Sequence, residues 1–297
     1  MKKTRNIFIA VGATAILVAA VLGFRFASNP RMPQTYNELT SFPAEKLEHI
    51  DIALMNLLCA EGLPGAENLD VAECLAVLDR WAKVIKESEQ KYSVQFFQNR
   101  QKYDNSYAMF QAVNLGLTLK EDLKCRYNQE LVRSGAMKDI RSTQFFRSSS
   151  DLFLHGFVEK RAGSCSSFPV LMVALGRRCG YPLYLATCKG HLFCRWDDGT
   201  ERFNIETACP GVDSKPDDYY KQWPYPSSES EIRTEGYLLN LTPKQELAVF
   251  AQLRAFCLLE NHRLDESLEV YALALDGFPS STFLKEYIDN VHRMKQK

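Results

Sequence analysis

The stretch from Gly163 to Thr207 constrains the fold most, because its hydrophobic period changes partway along. Val170-Leu171-Met172-Val173-Ala174-Leu175-Gly176 is continuously apolar and reads as a buried helix. Pro169 falls in its first turn, where a missing N–H costs little, and Gly180 stands in the C′ position that ends it. Beyond it, Gly190 to Asp197 alternates: His191, Phe193 and Arg195 share one face, and Leu192, Cys194 and Trp196 the other. Asp198-Gly199 is a two-residue hairpin signal, with Thr200 to Thr207 as the returning strand. The expected class is α+β: a helix packed on a small antiparallel sheet, flanked by helical regions on both sides.

This stretch also gathers chemistry-bearing residues. Cys165, in Gly163-Ser164-Cys165-Ser166, precedes the buried helix. Unpaired N–H groups and the positive end of the helix dipole favour a thiolate there and can stabilise an oxyanion. A two-residue Asp-Gly turn places Glu206 directly opposite His191. A carboxylate at that position can accept the imidazole N–H and leave the other ring nitrogen for the thiol. The candidate constellation is therefore Cys165 as nucleophile, His191 as base and Glu206 as orienter, with Asn204 on the same face as the alternative third member.

Each piece has a plainer explanation. A cysteine at a helix start is often a buried core residue, and a His–Glu cross-strand pair can be a surface ion pair worth little. Zinc is the chemical competitor, because Cys188, His191 and Cys194 are spaced like ligands. On a strand, however, both cysteines point away from the histidine's side. The same register sets Cys188 against Cys209 as a disulfide candidate.

The rest of the chain supplies the surroundings. Lys2, Lys3 and Arg5 precede an apolar run from Ile7 to Phe24, near the lower length limit for a membrane-spanning helix. Residues 1–27 are expected to be a signal anchor, with the body of the chain outside the cytoplasm in a bacterial cell envelope. Residues 28–43, with Pro30, Pro33 and Pro43, read as a linker. Residues 44–135 are helical in pattern, and Cys59 and Cys74 flank a helix–loop–helix as a second disulfide candidate. Residues 136–230 form the expected core, with Asp213 to Ser230 as a surface loop. Lys+Arg and Asp+Glu are equal at 36 each, so the basic footprint of a nucleic-acid binder is absent.

Residues 231–297 are helical again. Thr242-Pro243-Lys244-Gln245 is a capping box with proline at the first helical position. Ala255, Leu258, Ser267, Tyr271, Ala274 and Pro279 follow the small, large, small, aromatic, small and proline order of a tetratricopeptide unit. One such unit cannot bury its own face, so it is expected to dock on the core. Residues 243–297 are also the expected surface for a protein partner.

Residues 151–226 resemble the transglutaminase-like superfamily, a papain-like cysteine fold, in its bacterial branch. Gly163-Ser164-Cys165, Lys189-Gly190-His191-Leu192-Phe193 and Phe203-Asn204-Ile205-Glu206-Thr207 carry the resemblance. The family's acid is commonly Asp; here the position holds Glu206. The resemblance covers about a quarter of the chain. It implies acyl transfer or hydrolysis at a peptide or protein amide through a thioester, needing no cofactor or metal. It also implies a further oxyanion donor upstream of Cys165, for which His155 is the candidate, and Trp223 as a wall of the site. The competing expectation is an inactive member of the family that binds a partner through its helical repeat.

Overall fold

The computed structural model describes residues 31–128, 131, 145–207 and 213–296, and residues 34–297 belong to one compact unit. Helices dominate its first third. Thr35, Asp51, Asp70 and Ser106 each accept a backbone N–H at the start of α1 (Tyr36–Thr40), α2 (Ile52–Leu58), α3 (Val71–Gln98) and α4 (Tyr107–Leu117). The expected linker over 28–43 thus contains a capped helix, anchored by Leu39, which is completely buried.

A short parallel pair, β1 (Arg126–Tyr127) with β2 (Ala162–Gly163), follows, and α5 (Leu154–Lys160) lies between its strands in sequence. Next come α6 (Phe168–Arg178) and an antiparallel sheet of β3 (Leu183–Cys188), β4 (His191–Asp197) and β5 (Arg202–Ile205), in that spatial order. The helix α6 ends as expected, with Gly180 at φ +79° and the Tyr181 N–H returning to the Gly176 carbonyl. It packs on β3 and β4, and the Cys194 thiol meets the Pro169 carbonyl at 3.2 Å.

The hairpin register differs from the expected one. Arg195 pairs with Asn204 and Asp197 with Arg202, so the loop holds four residues, Asp198 to Glu201, rather than two. The Asp198 carboxylate explains this: it accepts the Thr200 hydroxyl and the N–H groups of Thr200 and Glu201. The slip is two positions, which preserves which face each side chain occupies.

The stretch expected as a surface loop, Asp213 to Ser230, instead closes one face of the sheet. Its helix α7 (Asp217–Tyr220) buries Tyr220, whose ring stacks on Phe193 with centroids 3.9 Å apart. Beyond α8 (Glu229–Glu235), the chain runs along β3, where Leu238 and Leu241 donate to the carbonyls of Thr187 and Leu185. The C-terminal helices are α9 (Pro243–Glu260), α10 (Leu264–Gly277) and α11 (Thr282–Lys295). Ala255, Leu258, Ser267, Tyr271 and Ala274 are all fully buried, and Ser267 donates to the Ala255 carbonyl. A bidentate ion pair, Arg177 to Glu246 at 2.6 and 3.1 Å, ties α9 to α6, and Arg254 binds the carbonyls of Cys59 and Glu61.

Three expectations are corrected. The fold is α+β, but no helix among the described residues is long and apolar enough to cross a membrane. The longest, α3, carries Asp79, Arg80, Lys83, Lys86 and Glu87 within it. The transmembrane helix expected over residues 7–24 lies outside the described residues. Cys59 and Cys74 are both buried free thiols, so they form no disulfide; Cys59 faces the Arg254 side of the core, and burial pushes its thiol up to about 12. Cys188 is likewise a free thiol, its thiol raised by burial, and its proposed partner Cys209 lies outside the described residues.

Candidate active site

Cys165 sits on the turn that leads into α6, and local bonds fix that turn. The Ser164 hydroxyl donates to the Asp151 carbonyl and accepts the Ser166 N–H, while the Ser167 hydroxyl accepts the Ser164 N–H. The Phe168 N–H closes onto the Ser164 carbonyl, so the helical ladder starts directly beneath the cysteine. Gly163 is required by space: a Cβ there would lie 2.0 Å from the Phe157 ring and 2.7 Å from the Ser167 hydroxyl. Of the described cysteines, Cys165 alone is partly exposed; the other seven are buried.

His191 begins β4, opposite Cys188 across the tight Lys189–Gly190 turn. Its Nε2 lies 3.0 and 3.2 Å from the two Glu206 oxygens, and both side chains are nearly inaccessible, with 7% and 1% of their residue surfaces exposed. The four-residue loop makes Glu206 a diagonal rather than a direct neighbour of His191. Diagonal pairs are about 7–8 Å apart at the backbone, a span that a glutamate crosses more readily than an aspartate. Beyond β5, Glu206 is held by its own N–H, which donates to the Asp213 carbonyl at 2.8 Å.

Cys165 and His191 line the same cavity, and Cys165 favours the charged form of the imidazole. Burial alone depresses the basicity of His191. The Cys165 and Glu206 interactions outweigh it and raise the imidazolium to about 9. Trp223 packs edge-on against the ring at 4.7 Å, though it is not among the residues lining the cavity. On the other side of the acid, the Tyr220 phenol lies beside Glu206 and is pushed up by burial and by that charge. It does not align as a hydrogen-bond donor. Sequence reasoning missed Tyr220; Asp217-Asp218-Tyr219-Tyr220 reads as polar loop, and its fit against Phe193 is a tertiary property.

The two remaining candidates serve elsewhere. Asn204 accepts from the fully buried Arg195 at 2.7 Å and donates to Asp217 and to the Lys215 carbonyl. That leaves Glu206 as the partner of His191. His155 is buried on α5, where its Nε2 meets the Gly65 carbonyl at 3.0 Å and the Ser149 hydroxyl at 3.3 Å. Burial lowers its basicity, and it is not among the residues lining the cavity beside Cys165. Among the described residues no cluster of three or more His, Cys, Asp or Glu could hold a metal. The spacing of Cys188, His191 and Cys194 does not converge, because Cys194 turns toward Pro169 and Cys188 toward the Trp223 carbonyl.

Cys165 and His191 open onto a cavity of about 620 Å³, within the roughly 300–1,000 Å³ range of small-ligand sites. The C-terminal helices α9 and α11 also line it. Comparison with protein-family models, curated proteins and solved structures returned no match to this chain.

Proposed function

We propose that this protein is a cysteine enzyme of the transglutaminase-like kind, acting on peptide or protein amides through a thioester. One observation carries the reading: the sole partly exposed described cysteine lines the same cavity as His191, whose ring is paired with the buried Glu206. A buried ion pair with no task is costly to maintain, since desolvation rivals the attraction gained.

In the reacting form the imidazolium of His191 holds a proton and the Cys165 sulfur is the nucleophile. The sulfur attacks the amide carbonyl carbon, and the carbonyl electrons move onto oxygen. The Cys165 N–H, on the turn that leads into α6, is the proposed donor to that oxyanion. As the tetrahedral species collapses, the C–N bond breaks and the His191 proton passes to the leaving amine. Water or an acceptor amine then loses a proton to His191 and attacks the thioester, and the C–S bond breaks to restore the sulfur. Glu206 holds the ring in place and matches its charge in both halves of the cycle.

Iodoacetamide at pH 7, read by peptide mass spectrometry, tests the nucleophile. Cys165 is expected to label at least about tenfold faster than every other thiol. Equal rates at Cys165 and the buried cysteines would remove the basis for an activated sulfur.

A further inference from the structure

The cavity extends well past the reacting groups, and its composition is uneven. Near Cys165 it is lined by Ser166, Thr187 and Leu192; α9 and α11 contribute Phe256, Phe283 and Tyr287. These three rings form one cluster, with Phe256 and Phe283 at 4.9 and 4.7 Å from Tyr287. Phe283 is still 36% exposed, so the cluster presents a ring surface that its own packing does not cover.

Among the described residues the charges around this space are mostly negative: Glu231, Glu235 and Glu286 line it, against the ammonium of Lys189. Lys189 is matched by Glu231 at 2.6 Å, and Glu235 accepts from Thr282 and Phe283 at the start of α11. Glu286 stands exposed on α11, one residue from Tyr287. The imidazolium of His191 is already met by Glu206. An aromatic wall with carboxylates at its edge is the combination that recognises an ammonium or guanidinium, through ring quadrupole and charge together.

A second observation, unrelated to charge, also points to a ligand. Thr187 lines the cavity and is only 8% exposed, and its hydroxyl has no hydrogen-bond partner. A buried hydroxyl left unpaired carries an uncompensated desolvation cost. A peptide carbonyl or amide lying between Cys165 and α9 would supply what it lacks.

Resting on the cysteine-enzyme reading, we infer that the C-terminal helices form the specificity wall of the active site, and that the substrate is a basic peptide segment. Its Lys or Arg side chain lies over Phe283 and Tyr287 near Glu286, and its backbone is bonded by Thr187. The helical repeat is then part of the substrate cleft rather than a separate docking module.

Binding can be read without catalysis. The full chain carrying Cys165→Ala would be titrated, by fluorescence anisotropy at low salt, with two dye-labelled hexapeptides. One has the composition Lys-Phe-Lys repeated, the other Glu-Phe-Glu repeated. The basic peptide is expected to bind at least about tenfold more tightly, with the preference shrinking as salt rises. Glu286→Gln, an exposed change compatible with folding, should weaken it about threefold, and Phe283→Ala further. Equal affinity for both peptides, binding of neither, or indifference to Glu286→Gln and Phe283→Ala together would overturn the inference. Slow alkylation of Cys165 with the peptide preference intact would instead strike the enzymatic reading alone.

Discussion

At the scale of single residues, the pair His191–Glu206 makes two measurable commitments. Glu206→Gln keeps the shape but removes the charge that sustains the imidazolium, so the ring should lose its proton near neutral pH. Turnover, or Cys165 alkylation in its place, should fall by about 100-fold, since orienting and charge-matching the base is worth that much in such sites. Unchanged reactivity would show that Glu206 is a structural anchor. The same pair sets a pH dependence of stability. The folded value of His191, about 9, lies above the ordinary value of about 6.5. The protonated ring therefore stabilises the fold fully below about pH 6.5, and that contribution is lost as pH rises through 9. Unfolded cysteines also begin to ionise toward pH 8.5, which acts in the same direction because their folded values are raised. Comparison with Glu206→Gln isolates the histidine. Between pH 7 and 8.5 the parent chain should lose on the order of 1–2 kcal/mol more than the variant in urea unfolding. Parallel pH profiles for the two chains would contradict the assignment.

At the scale of elements, Gly163 is the test of how the nucleophile is held. Gly163→Ala would drive a methyl into the Phe157 ring and the Ser167 hydroxyl that binds the Ser164 N–H. Overpacking of this kind costs about 1–3 kcal/mol. Here it should also loosen the turn, so Cys165 alkylation should slow even in the fraction that stays folded by circular dichroism. A variant that unfolds less than expected and labels normally would show that β2 gives way at no cost to the site. These same elements show what was legible in the sequence. The α6 helix was readable because an apolar run, a proline in its first turn and Gly180 at its end all agree. The pairing of His191 with Glu206 was readable for a partly wrong reason: the turn at Asp198 is longer than Asp-Gly implies, and only the two-residue period of a strand kept both side chains on one face. The Asp198 side chain decides the loop by capturing N–H groups two and three residues on, which no hydrophobic pattern encodes. The Cys59–Cys74 bridge failed because spacing along a helix–loop–helix does not fix the separation of two thiols. The burial of Tyr220 and Arg195 depends on partners distant in sequence, and nothing local announces it.

At the scale of the whole chain, the question is whether the C-terminal helices are a separable appendage or part of one folding unit with the site. A lone repeat would be expected to fray on its own. The Arg177–Glu246 bridge argues for one unit, because it joins the nucleophile's helix to α9 and one of its members is completely inaccessible. Burial raises Glu246 above the ordinary carboxylate range, and Arg177 opposes that rise. Arg177→Met would leave an unpaired buried carboxylate, at a cost of about 3 kcal/mol near neutral pH. The penalty should ease as pH falls toward about 4.5, since protonating Glu246 then costs progressively less. Trp81, Trp196 and Trp223 all lie outside residues 243–297, so tryptophan fluorescence reports the core while far-ultraviolet circular dichroism includes the C-terminal helices. If site and helices fold together, the two signals should give one coincident urea transition in the parent chain. Arg177→Met should shift both midpoints down by the same amount. A dichroism transition that separates from the fluorescence one would make α9 to α11 an independent domain, and their side of the cavity would then be free to move relative to Cys165.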